Sequence, residues 1–179
     1  TVTRKGANTV ILQAIDVNEA FFIDPRFKNK SAKLRGAVML AGPMLARYKV
    51  AHIPQPGGDK IGRRRLDTHI RGFEKLGVHF DYNSEESLFT LDGANMQGAT
   101  ILMEEPSVTG TANIIMAAVL TEGTTTIYNA ACEPYVQQLC HMLNRMGAKI
   151  SGIASNKIVI EGVEKLSGCE HRMLADMIE

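Results

Sequence analysis

Leu66-Asp67-Thr68-His69-Ile70-Arg71-Gly72-Phe73-Glu74-Lys75-Leu76-Gly77 and Val136-Gln137-Gln138-Leu139-Cys140-His141-Met142-Leu143-Asn144-Arg145-Met146-Gly147 decide the fold, because they are one pattern used twice. In the first, Leu66, Ile70, Phe73 and Leu76 recur at helical spacing and end at a glycine suited to the left-handed residue that closes a helix. The second does the same and closes on Gly147. After each helix comes a strand-like run, Val78 to Tyr82 or Ala148 to Ser151, then a polar turn and a second run ending in Leu91-Asp92-Gly93 or Ile160-Glu161-Gly162. These pairs read as hairpins.

Working outward, Ser31-Ala32-Lys33-Leu34-Arg35-Gly36 leads into an apolar helix through Arg47, and Ser107-Val108-Thr109-Gly110-Thr111 into another through Leu120, a serine opening each. Strands follow both, Lys49 to Ile53 and Thr124 to Tyr128, so each copy is a βαβαββ-like unit. Thr9 to Ala14 reads as the closing strand of a third copy whose helices are absent. The expected organisation is one incomplete domain over 1–179, with the remnant of a first repeat in 1–30, a second repeat in 31–106 and a third in 107–179. Val38, Met39, Leu40, Met44 and Leu45 in one unit correspond to Ile114, Ile115, Met116, Val119 and Leu120 in the other. Helices apolar around their circumference are buried ones, so an α/β architecture with sheets outside and helices inside fits better than a doubly wound sheet.

Composition narrows the function. The 179 residues are 45% hydrophobic, enough for a core, and 20 Lys+Arg against 19 Asp+Glu leave a net charge of +1. Such balance gives no bulk field for nucleic acid or an anionic membrane, so an anion site must be local. The longest apolar stretches fall far short of the roughly 20 residues a bilayer requires, and no signal peptide is evident, so a cytoplasmic setting is expected. Cys132, Cys140 and Cys169 have neither disulfide nor metal-ligand spacing, and no metal site is expected. The nine methionines read as core filling. The first of them is Met39, which raises the expectation that the chain was cut from something longer.

One segment departs from both core and solvated loop: Pro54-Gln55-Pro56-Gly57-Gly58-Asp59-Lys60-Ile61-Gly62-Arg63-Arg64-Arg65. Its glycines let a ligand approach the backbone, and its four cations offer the charge and forked donors that phosphate and carboxylate favour. A solvated basic loop has the same composition. No aromatic interleaving accompanies it, which disfavours nucleic acid. Asp59, the lone carboxylate there, either pairs with Lys60 or an arginine or, with a polyanion bound, holds a proton and acts as a general acid. Arg35 is either a surface cation or meets an anion beside a helix start.

The chain resembles the UDP-N-acetylglucosamine enolpyruvyl transferases. The likeness rests on Ser31-Ala32-Lys33-Leu34-Arg35, Gly42-Pro43-Met44-Leu45-Ala46-Arg47, Pro56 to Arg64 continuing to Asp67-Thr68-His69, Asn129-Ala130-Ala131 with Glu133-Pro134, and Lys157 to Val163, in family order over nearly the whole chain. That resemblance implies two domains, each an inverse α/β barrel of pseudo-threefold βαβαββ repeats, of which this chain would be most of one. It also implies transfer of the enolpyruvyl group of phosphoenolpyruvate to the 3′-hydroxyl of UDP-N-acetylglucosamine, an early step of peptidoglycan synthesis, without metal or organic cofactor. The isolated chain is expected to lack turnover for want of its second domain, and its exposed helix faces to favour self-association.

Residue by residue, the resemblance puts Asp59 where most members have the cysteine that protonates the methylene carbon and is alkylated by fosfomycin, so resistance to that epoxide is expected. Arg35 and Arg64 match arginines lining the substrate site. Arg65, Leu66, Asp67 and Thr68 match the segment along the nucleotide, with Asp67 the uracil acceptor, and Ser107 and Val108 match a loop at the diphosphate. Glu105, Thr109 and Tyr135 depart from the family pattern, replacing a lysine, a glycine and an acidic residue. The shikimate 3-phosphate enolpyruvyl transferases are a second enzyme reading, disfavoured by the Pro-Gly-Gly-Asp-Lys-Ile-Gly loop. A non-catalytic nucleotide-binding module on the same repeat is the reading from another class.

Overall fold

The computed structural model describes residues 1–15, 17–55, 57 and 66–175. Helices α1 (Pro25–Ser31), α2 (Ala41–Tyr48), α3 (Asp67–Lys75), α4 (Val108–Ala118) and α5 (Pro134–Arg145) alternate with strands β1 (Val2–Arg4), β2 (Val10–Leu12), β3 (Val50–Pro54), β4 (His79–Asn83), β5 (Leu88–Asp92), β6 (Thr100–Leu102), β7 (Thr124–Tyr128), β8 (Lys149–Ser151) and β9 (Lys157–Glu161). Two short 3₁₀ segments, Glu19–Ile23 and Arg35–Leu40, precede α1 and α2.

Two sheets carry the repeat. β3, β5 and β4 form an antiparallel sheet in that spatial order, and β6, β7, β9 and β8 form the other, β6 lying parallel to β7. The run β6-α4-β7-α5-β8-β9 is thus a complete βαβαββ unit, and α2-β3-α3-β4-β5 repeats its order without, among the described residues, a counterpart of β6 pairing parallel with β3. β6 enters the second sheet although it lies before residue 107. β2 pairs antiparallel with β1 in a separate two-stranded ribbon.

The helices are inside. In α4, Gly110 to Ile115, Ala117 and Ala118 are all buried, and α4 packs against α2, α3 and α5. Strands turn one face to this core, so that alternate residues are buried along most of them: Ala51 and Ile53 of β3, Thr125 and Ile127 of β7, Ile158 and Ile160 of β9. Each fully buried aliphatic side chain such as Leu45, Ile114 or Ile115 contributes about 2–3 kcal/mol through removal from water. This is the inverse α/β barrel arrangement, sheets outside and helices at the centre.

Local signals act as their chemistry dictates. Gly77 at φ +89° and Gly147 at φ +103° close the equivalent helices α3 and α5 in the left-handed region, where a Cβ is disfavoured. Ser107 caps α4, its side chain accepting the Gly110 amide proton at 3.1 Å. Ser31 corrects the sequence expectation: it is the last residue of α1, and its hydroxyl donates to the Phe27 carbonyl at 2.7 Å rather than opening a helix. The apolar stretch after it is not one α-helix. Pro43 has no amide proton and its ring would clash with the carbonyl four residues earlier, so the chain runs as a 3₁₀ segment from Arg35 and α2 starts only at Ala41, which leaves Pro43 in the first turn.

Candidate active site

Three chain starts converge on His69. Arg35, half-buried, begins the 3₁₀ segment; Leu66 and Asp67 begin α3; Ser107 and Val108 begin α4. Asp67 is the acidic residue in the first turn of α3, where the helix dipole favours a negative charge. Leu66, Asp67 and Thr68 are each partly accessible.

His69 is 4% exposed and joins these elements. Its Nε2 lies 3.2 Å from the Thr109 hydroxyl of α4, and its Nδ1 lies 3.1 Å from the side-chain nitrogen of Asn113, one turn further along. The Asn113 amide also donates to the Val38 carbonyl at 2.9 Å and accepts from the Gly42 amide at 2.8 Å, so α2, α3 and α4 share one polar joint. On its other side the ring faces an apolar hollow lined by Leu66, Ile70, Phe73, Val38 and Ile53. Burial there, assisted by the nearby Arg35 guanidinium, pushes the His69 pKa down from 6.5 to about 4. The imidazole is therefore neutral at physiological pH.

Gly57, just beyond β3, is the one described residue of the glycine-rich stretch 57–65. At Gly57 a Cβ would run into the Ala32 carbonyl oxygen, so the backbone there lies against the turn that precedes Arg35. Gly58, Asp59, Lys60, Ile61, Gly62, Arg63, Arg64 and Arg65 lie outside the described residues, and with them the expected roles of Asp59, Arg64 and Arg65. The loop's two flanks, Gly57 beside the Arg35 turn and Leu66 at the start of α3, are both described and both belong to this region.

On the α4 side, the exposed Arg71 in the middle of α3 pairs with Glu104 just before Ser107, tying α3 to the segment that leads into α4. Asn129, at φ +56°, donates to the Met103 carbonyl at 3.0 Å, and the Ala131 amide donates to the Thr111 hydroxyl at 3.0 Å. These bonds hold the Asn129-Ala130-Ala131 segment against the strand-to-helix connection. Glu105 and Tyr135 are exposed or nearly so and stand away from the joint's hydrogen bonds. Sequence reasoning singled out Arg35, Leu66 to Thr68, Ser107 and Val108, but it missed Asn113 and Thr109 as partners of His69. An asparagine within the otherwise apolar run Ala112 to Leu120 was the available signal.

Among the described residues no three or more His, Cys, Asp or Glu side chains cluster as a metal site would require, and no helix is long and apolar enough to cross a membrane. Cys140 is buried, which raises its thiol pKa to about 11, whereas Cys132 and Cys169 are exposed.

Sheets outside and helices inside are the arrangement of the enolpyruvyl transferase fold. The chain belongs to the EPSP synthase (3-phosphoshikimate 1-carboxyvinyltransferase) family, whose model matches residues 10–179. Within it, the chain is similar to proteins named UDP-N-acetylglucosamine 1-carboxyvinyltransferase: 57% identical to that of Bacteroides fragilis and 58% to that of Bacteroides thetaiotaomicron, each over 100% of this chain and 41% of the relative, and 54% identical to that of Porphyromonas gingivalis over 99% and 41%. The chain therefore spans about two fifths of the length of these relatives. Among solved structures, the enolpyruvyl transferase NikO from Streptomyces tendae superposes with a TM-score of 0.70 at 20% identity, covering 93% of this chain and 38% of that one. EPSP synthase from Acinetobacter baumannii gives a TM-score of 0.55 at 20% identity over 76% of this chain and 32% of its own. These two likenesses speak to the fold.

Proposed function

We propose that this chain is most of one domain of a two-domain enzyme that transfers the enolpyruvyl group of phosphoenolpyruvate to the 3′-hydroxyl of UDP-N-acetylglucosamine, in bacterial peptidoglycan synthesis in the cytoplasm. The observation that carries the reading is the meeting of Arg35, the start of α3 and the Ser107-capped start of α4 around one neutral histidine. Two backbone-amide termini and a cation within one polar cluster suit a ligand with separated anionic groups, as a sugar nucleotide diphosphate and a phosphorylated enol are. The names of the relatives support the sugar nucleotide over shikimate 3-phosphate as acceptor.

In this reading Asp59 gives a proton to the methylene carbon of phosphoenolpyruvate while the sugar hydroxyl adds to its neighbouring carbon. Loss of a proton from the new methyl group and departure of phosphate then restore the enol ether. Arg35 and Arg64 bind the phosphoenolpyruvate phosphate. Arg65, Leu66, Asp67 and Thr68 run along the nucleotide, Asp67 accepting from uracil, and Ser107 and Val108 hold the diphosphate. No metal or organic cofactor takes part. The remaining residues of the site come from a second domain that closes over the substrates. Unsheathed apolar side chains on the ribbon and nearby, Val10, Leu12 and Ile15, favour association of the isolated chain with itself.

Titration of the chain with UDP-N-acetylglucosamine and with UDP-glucose, together with phosphate release by the full product of the encoding gene, tests the reading. Preference for the N-acetyl sugar, and phosphate release that requires both substrates, are the expected results. Equal affinity for the two nucleotides without phosphate release would leave a binding module instead.

A further inference from the structure

We infer that Asn113 fixes the tautomer of His69 and, through it, makes the Thr109 hydroxyl an obligate donor at the start of α4. This rests on the reading above only where it names the recipient, an oxygen of the bound diphosphate.

The argument follows the protons. Asn113 is fully buried, and both ends of its amide meet the main chain: Oδ1 accepts from the Gly42 amide at 2.8 Å, and Nδ2 donates to the Val38 carbonyl at 2.9 Å. Rotating that amide by half a turn would set carbonyl against carbonyl and N–H against N–H, so its orientation is not free. Its second Nδ2 proton then points to His69 Nδ1 at 3.1 Å, which must accept and cannot carry a proton. A neutral imidazole whose Nδ1 accepts bears its proton on Nε2. That proton faces the Thr109 oxygen at 3.2 Å, so the hydroxyl accepts from the ring and its own proton is left to give elsewhere.

Thr109 is exposed, second in α4 and adjacent to Val108. A hydroxyl is ordinarily indifferent, donating or accepting as its neighbour asks. Here the buried amide two hydrogen bonds back removes that choice. The result suits an oxygen that has lone pairs and no proton, as in a diphosphate, and penalises a neutral group that needs an acceptor. Asn113 is in this account a positioning residue, touching no ligand, while Thr109 is the contact.

Imidazole ¹H–¹⁵N correlation spectra of the chain, with His69 among the five histidines identified by its loss in His69→Gln, read the tautomer directly. His69 is expected as Nε2–H in the wild type and in Thr109→Val, and as Nδ1–H or doubly protonated in Asn113→Asp. Nδ1–H in the wild type, or a tautomer that changes in Thr109→Val, overturns the role of Asn113. These spectra need no ligand, so they stand apart from the proposed function. For the donor, inorganic pyrophosphate and UDP-N-acetylglucosamine are titrated into wild type, Thr109→Val and Thr109→Ser. About tenfold weaker binding of both by the valine variant, with the serine variant within about twofold of wild type, is expected. Unchanged affinity in Thr109→Val, or no binding of either probe by the wild type, overturns the donor role whatever the spectra show.

Discussion

The side-chain oxygen of Asn113 in α4 takes the amide proton of Gly42 in α2 at 2.8 Å, a bond that crosses between the two structural repeats and is wholly buried. It exists because residue 42 has no side chain. A Cβ there would press on the Asn113 carbonyl and side-chain oxygens and lie 3.1 Å from the Met116 Cβ. Gly42→Ala should therefore destabilise the fold by about 1–3 kcal/mol despite the higher helix propensity of alanine. A urea midpoint equal to or above that of the wild type would contradict this close approach.

Acid should weaken the fold through His69. Its pKa is about 4 when folded against 6.5 unfolded, so between those values the unfolded chain binds a proton that the native one refuses. Stability contributed by the neutral ring is thus present above about pH 6.5, declines as pH falls towards about 4 and changes no further below it, the whole amounting to on the order of 3 kcal/mol. Urea unfolding at pH 7 and pH 4.5 should show a larger drop for the wild type than for His69→Gln. Parallel curves for the two proteins would refute the assignment.

Arg35 acts on the same ring. Because its charge adds to burial in lowering the His69 pKa, Arg35→Met should raise the His69 titration midpoint, read from its imidazole resonances. In the full gene product the same change should also weaken use of phosphoenolpyruvate, by the proposed contact with its phosphate. A midpoint that stays put or falls speaks against their proximity.

Asp59 sets the expected response to fosfomycin. A carboxylate donates a proton but is a poor soft nucleophile, so phosphate release by the full gene product should persist in the presence of the epoxide, without covalent labelling of residue 59. Asp59→Cys should retain turnover and become sensitive in a time-dependent way. Inactivation of the wild type with mass added at Asp59 would be the opposite outcome.

The two serine signals were only half legible in the sequence. Ser107, followed by a glycine and an apolar run, caps its helix as read, and the glycines at 77 and 147 close theirs, because such signals act within a few residues. Ser31 misled because hydrophobicity alone does not distinguish one long helix from a short one, a turn and a 3₁₀ segment. The missing amide proton of Pro43 was the corrective signal. Arg35, Leu66 to Thr68, Ser107 and Val108 were named from resemblance, and the structure gathers their segments. The bonds of His69 to Thr109 and Asn113 span 40 and 44 positions, and no local pattern encodes which buried polar groups will satisfy each other.

With Gly110 to Ile115, Ala117 and Ala118 all enclosed, α4 lends nearly its entire surface to partners drawn from both repeats. Duplicated units elsewhere often separate at a seam and melt one after the other. Here the seam is occupied by a shared strut: α4 cannot leave its place without uncovering the buried faces of α2 and α3 as well as that of α5, so the two repeats are expected to unfold together.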